Sequence, residues 1–154
     1  MATYSFKSSG KSDDQRRKET VAVTKTPVGI KTPLRLGSKE IYEVTYSLRD
    51  QVNDNLRNLL LTNWGETLGL YDFGANLNPL MSEFTTQDDF DSEAIARIKS
   101  AVSKWMPYVD LETFNSQVNR NENKNTAVID MTITYNVPAL NLTDRRIQIV
   151  LHAM

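Results

Sequence analysis

The stretch Ser47-Leu48-Arg49-Asp50-Gln51-Val52-Asn53-Asp54-Asn55-Leu56-Arg57-Asn58-Leu59-Leu60-Leu61-Thr62-Asn63-Trp64-Gly65-Glu66, followed by Leu70-Tyr71-Asp72-Phe73-Gly74-Ala75-Asn76-Leu77, decides the fold. Leu48, Val52, Leu56, Leu59 and Leu60 fall on one face at helical spacing. Arg49, Asp50, Asn53, Asp54, Arg57 and Asn58 fall on the other. Ser47 with Asp50 three residues on predicts a capping box with Asp in the Glu position. Gly65 is expected to stop the helix, because it tolerates the left-handed conformation of a C-terminal cap. The segment after it reads as a fixed corner, with Phe73 plugging the core and Gly74 turning the chain.

A second helix is predicted downstream. Ile95, Ile98, Val102 and Trp105 share a face, with Ala94 and Ala101 beside them. Asp91 or Ser92 is the expected N-cap and Glu93 suits the first turn. Pro107 ends the helix and pushes Met106 toward an extended conformation. Pro79 is placed to open a short helical turn through Phe84; Thr85–Asp91 is a loop or leads into the second helix.

Three strands close the chain. Val109–Val118 is strand-like, but its apolar parity shifts between Leu111 and Phe114, which predicts a bulge. A polar turn is expected over Asn119–Asn125. In Thr126–Val137 the residues Ile129, Met131, Ile133, Tyr135 and Val137 alternate with Asp130, Thr132, Thr134 and Asn136, the pattern of a half-buried antiparallel strand. Pro138 stops it. Arg146–Met154 alternates again through Ile147, Ile149, Leu151 and Ala153. Ile41–Tyr46 reads as a short strand able to join a sheet edge. The expected class is α+β: a small antiparallel sheet with two main helices on one face, plus an extended N-terminal arm.

One domain suits 154 residues of which 40% are hydrophobic. The boundaries read as a basic arm over 1–39 and a single domain over 40–154. The arm holds nine Lys or Arg against three Asp or Glu, a net of +6; the rest holds nine against sixteen, a net of −7. Such an arm reads either as a solvated tail or as a segment that orders on an acidic partner. It shows no stable element beyond short extended pieces around Val21–Thr24. No cysteine is present and the one histidine is His152. Disulfides, thiolate metal sites and histidine triads therefore have no ligands to build from, so no cofactor, metal or catalytic residue is assigned. No apolar run approaches a membrane span, and the polar N-terminus does not read as a signal peptide. Nucleic acid is not expected as a partner: the arm offers only Tyr4 and Phe6 for stacking, and no known module surrounds it.

Asp72-Phe73-Gly74 matches the magnesium triplet of protein kinases, but no glycine-rich phosphate loop or His-Arg-Asp segment accompanies it. Glu66 and Asp72 could be cast as a glycosidase pair, yet two carboxylates near a turn are common. Glu66 is expected to pair locally and Asp72 to accept backbone hydrogen bonds. Trp64 and Trp105 are expected to pack in the core at two helix ends.

The order of helix, Thr-x-x-Gly-Glu at Thr62 to Glu66, Asp72-Phe73-Gly74 and Leu77 resembles the baseplate wedge and sheath-initiator family of contractile-tailed phages, once catalogued as lysozyme-like. Trp105 and Pro107 match the family's Trp followed by Glu-Pro-Arg, while Met106 and Tyr108 stand at the charged positions and Thr67 replaces a frequent Arg. The resemblance runs from about Ile41 to the C-terminus. It implies a virion protein of the tail baseplate, assembled in the host cytoplasm, with Gly65, Glu66, Asp72, Phe73, Gly74, Trp105 and Pro107 as motif positions. Implied partners are wedge core proteins and the tail sheath protein, which joins by exchanged strands. The arm could reach tail tube or hub proteins. Candidate partner-binding residues are Met106, Tyr108, Arg146, Ile147, Gln148, Ile149, Val150 and Leu151. The rival readings are a peptidoglycan hydrolase and a nucleic-acid adaptor.

Overall fold

The computed structural model describes residues 12–14, 26–37, 41–83, 87–121 and 126–153. The expected pieces at Val21–Thr24 and the tip of the Asn-rich turn at 122–125 lie outside the described residues.

Helix α1 spans Leu48–Leu61 and buries Val52, Leu56, Leu59 and Leu60, as the periodicity requires. Leu48, at its first position, is exposed instead. Ser47 is the N-cap, but its side chain makes no capping bond, so the expected capping box is absent. The C-terminus also differs from expectation. Thr62 caps it in an extended conformation, its hydroxyl donating to the Asn58 carbonyl at 2.6 Å. Gly65 works later, inside the corner, at φ +86.

A one-turn helix, α2, spans Leu80–Glu83 directly after Pro79. Helix α3 spans Gln87–Trp105 and starts a turn earlier than Asp91. The reason is Phe90, which is buried and extends the apolar face of Ala94, Ile98, Ala101 and Val102 toward the N-terminus. Glu93 consequently sits within the helix and pairs with Arg97 one turn on, at 2.9 Å.

Strands β3 (Asp110–Asn121), β4 (Thr126–Val137) and β5 (Leu142–Ala153) form an antiparallel meander in that order. The predicted bulge is present: the β3–β4 register shifts between Leu111 and Thr113. β4 ends before Pro138, and a 3-10 turn over Pro138–Leu140 hands over to Asn141 in the left-handed region. β5 then begins at Leu142, four residues before the expected Arg146, because Asp144 at φ +53 absorbs a second register shift near Asn136. The inward rows match residue for residue: Ile129 with Leu151, Met131 with Ile149, Ile133 with Ile147. α1 packs over β5 and α3 over β3, so both helices cover one face. Tyr135 seals the layer, its hydroxyl donating to Asn53 of α1 at 3.2 Å. Burial raises the pKa of that phenol.

The remaining strands correct the expectation. Val44–Thr45 (β2) pairs not with the main sheet but with Gly29–Ile30 (β1), in a separate two-stranded ribbon. Leu36 bridges to Tyr42 farther along it. The reading of no stable element over 1–39 therefore fails for residues 26–37. It missed the ribbon because β1 is only two residues long and begins with Gly, a weak strand former. The ribbon is tied to α1 by Asp54, which leaves the expected polar face to accept the Thr32 N–H at 3.2 Å.

Candidate functional site

The corner after α1 is a closed hydrogen-bond circuit. Asn63 donates its N–H and its side-chain amide to the two carboxylate oxygens of Glu66, both at 2.8 Å. These bonds hold the Glu66 pKa below the usual carboxylate range. The Gly65 N–H donates to the Tyr71 carbonyl at 2.8 Å, closing the loop. Gly74 brings the chain back against α1, where Ala75 N–H donates to Leu59 O and Asn76 N–H to Thr62 O. Only glycine fits: Gly74 has φ +111, and an added Cβ would meet the Thr62 carbonyl oxygen at 2.1 Å.

The corner is locked to α3 by aromatic and ionic contacts. Phe73 meets Trp105 edge-to-face, centroids 5.3 Å apart. Both rings are half-buried against the core rather than enclosed by it. Asp72 pairs with Lys104, which lowers the Asp72 pKa; that side-chain bond, not the expected backbone contact, is its main partner. Trp64 is not a core residue. It is 55% exposed, donates its indole N–H to the Gly74 carbonyl at 3.1 Å and lies under Arg97. Trp64, Asp72, Glu93, Arg97, Lys104 and Trp105 line an open groove of about 390 Å³.

The two carboxylates of the glycosidase reading do not share this groove: Asp72 lines it and Glu66 does not. A general acid needs a raised pKa, and both Glu66 and Asp72 have lowered ones. Each carboxylate already serves a structural partner. Among the described residues, no three His, Asp or Glu side chains converge as a metal site, and no helix is long and apolar enough to cross a membrane.

The other expected site residues divide by burial. Met106 is only 4% exposed, so its side chain is not available to a partner. It was expected at an interface because it replaces a charged residue; the structure uses it as core instead. Pro107 and Tyr108 are exposed beyond the end of α3. In β5, Ile147, Ile149 and Leu151 point into the core, while Arg146, Gln148 and Val150 point outward. Any partner pairing at β5 must therefore use its backbone edge and the outward set. β5 pairs with β4 alone among the described residues, leaving the opposite edge open. The sequence reading missed one surface: Leu68, Leu70 and Tyr71 of the corner are exposed beside Trp64. Two glycines among them, Gly65 and Gly69, were the available signal of a projecting loop.

Residues 46–141 match the profile described as baseplate wedge protein gp25. The chain belongs to the baseplate wedge protein gp25 family. Among solved structures, a chain of the six-fold symmetrised anti-feeding prophage baseplate is similar, with TM-score 0.58 and 19% identity over 70% of this chain and 82% of that one. A protein of Geobacter sulfurreducens, described as a candidate tail lysozyme, has TM-score 0.49 and 21% identity over 72% of this chain and 94% of that one. A search of curated proteins gives no match. At 19% identity the baseplate chain speaks to fold alone. The family match spans both the corner, with Gly65–Gly74, and the end of α3, with Trp105–Pro107.

Proposed function

We propose that this protein is a structural, non-enzymatic component of a contractile-tail baseplate in the virion, and that the open edge of β5 templates the first ring of tail sheath by strand pairing. The observation that carries the finer reading is that edge. It is twelve residues long, in a sheet whose helices cover only one face. An unpaired strand edge is a row of N–H and C=O groups ready for another strand. Arg145 and Arg146 guard its start, while Ile147–Leu151 carries no charge, so pairing is directed to the later half. Pro107 and Tyr108, exposed next to the corner, supply a contact toward the wedge core. Residues 1–25, ahead of the ribbon, keep the role of a basic arm toward tube or hub proteins.

The test is a proline scan through Ile147–Leu151. Proline removes the N–H a ladder needs and is tolerated only where that N–H faces outward. Variants that keep wild-type circular dichroism and join the wedge should give baseplates without extended sheath. Normal sheath on every folded variant would move the template elsewhere. The enzymatic alternative predicts clearing of purified peptidoglycan that Glu66→Gln abolishes; the structural reading expects none from either protein.

A further inference from the structure

The two edges of the main sheet are finished differently. At β5 the inward row is sealed out to the edge, with Ile147, Ile149 and Leu151 all buried. At β3 the inward row is Leu111, Phe114, Ser116 and Val118, set by their β4 partners Tyr135, Ile133, Met131 and Ile129. Leu111, Phe114 and Val118 are only partly buried against the core. α3 is the layer above them, and it leaves a cleft of about 210 Å³ whose walls include Ile95, Ile98, Leu111 and Phe114. Among the described residues β3 pairs with β4 alone, so the cleft lies beside a free strand edge. That edge is unprotected, because Thr113–Val118 carries neither charge nor proline.

The stripe of α3 above this edge has an ordered set of charges. Asp91, Ile95 and Lys99 lie four residues apart and share one face. Asp91 accepts the Ser116 hydroxyl at 2.5 Å, and Lys99 lines the cleft beside Glu112. α3 therefore runs antiparallel to β3, with Asp91 level with Ser116 and Ile95 near Phe114. Neither Asp91 nor Lys99 has an ion-pair partner among the described residues. Glu112, the other charge lining the cleft, accepts a hydrogen bond from Asn136 on the opposite face of the sheet.

We propose that β3 pairs antiparallel with β3 of a second copy, about a two-fold axis near Phe114 and Ile95. The order of charges selects a second copy as the occupant. The two-fold reverses the stripe, so Asp91 of each copy meets Lys99 of the other while Ile95 meets Ile95. A stripe with like charges at both ends would repel its own copy. The backbone edges supply the ladder, and the partly buried Leu111, Phe114 and Ile95 of both copies close the two clefts together. The sheet then runs β5-β4-β3-β3-β4-β5, with the helices still on one face. The contact is isologous, so it stops at two copies. The β5 edges stay free, and the inference does not rest on the sheath-template reading.

The experiment is sedimentation velocity on the full chain, from low micromolar to several hundred micromolar. The wild type should pass from monomer to dimer and no further, less readily at high salt. Asp91→Lys puts two cations on the stripe and Lys99→Asp two anions, so each variant alone should stay monomeric. Mixed, they should recover a dimer, because each then meets the opposite charge. A second measurement needs no variant. Strand N–H groups alternate between the two sides, so about half of the Thr113–Val118 amides point at the free edge. Their hydrogen exchange should slow as concentration rises, and that of the β5 edge should not. A wild type that is monomeric throughout would overturn the proposal. So would a dimer of either variant alone, or a mixture of folded variants that stays monomeric. Should Asp91→Lys melt early through loss of the Ser116 bond, the exchange measurement decides: a dimer without slowed β3 amides also overturns the proposal.

Discussion

Replacing Gly74 by Ala tests whether the corner is built on a close backbone approach. At φ +111 an alanine is strained, a cost of about 1–3 kcal/mol. Its Cβ would also lie 2.1 Å from the Thr62 oxygen and 2.7 Å from the Thr62 carbonyl carbon. Those atoms belong to backbone, so α1 and the returning chain must separate. Separation loosens Ala75 N–H to Leu59 O at 2.9 Å and Asn76 N–H to Thr62 O at 3.2 Å. Each such bond contributes about 0.5–1.5 kcal/mol. The expected loss is therefore about 3–5 kcal/mol, or about 10 °C in Tm for a chain of this size. Gly65 and Gly69 supply the control. They have φ +86 and +80, with nothing within 4 Å of a Cβ. Alanine there should cost only the strain, about 1–2 kcal/mol. Urea unfolding followed by circular dichroism measures all three variants. If Gly74→Ala falls within about 0.5 kcal/mol of Gly65→Ala, the close-approach argument is wrong.

Three further outcomes are expected. Phe73→Ala and Trp105→Ala should each cost about 1–3 kcal/mol, less than a fully buried ring, with a coupling of about 0.5–1.5 kcal/mol in a double-mutant cycle; zero coupling would mean the edge-to-face pair contributes nothing of its own. Asp72 and Glu66 have folded pKa values below their unfolded ones, so their contribution is present above the unfolded value, about 4, and is lost as pH falls through the folded value; carboxyl NMR titration should show the Asp72 pKa rising in Lys104→Met and the Glu66 pKa rising in Asn63→Ala. Hydrogen exchange on the free protein should find the Val28, Lys31 and Glu43 amides protected by their ribbon partners; exchange as fast as in an unfolded chain would show that the ribbon does not persist in solution.

The elements with long, regular periodicity were legible in advance. α1, the body of α3, and the alternation of β4 and β5 follow from apolar spacing, and the bulge at Leu111–Thr113 follows from a break in it. The family was legible too, because turn glycines and short signatures keep their order along the linear chain. Boundaries were not. Ser47 and Asp50 have the residues of a capping box without its bond, and Gly65 turns a loop rather than ending a helix. Asp54 was assigned to solvent because its helical phase is polar, yet the ribbon arrives over it and buries it.

What the sequence alone determined was local: which segments are helical or extended, where the chain must turn at Gly74 and Pro138, and the split between a basic start and an acidic body. Those properties depend on residues a few positions apart. The tertiary structure decided everything that depends on which surface meets which. It placed Met106 in the core and Trp64 outside it. It paired Asp72 with Lys104 across 32 residues of chain. It also folded two residues of the supposed arm into a ribbon. Burial is set by what packs on top, and for these residues that partner is remote in sequence.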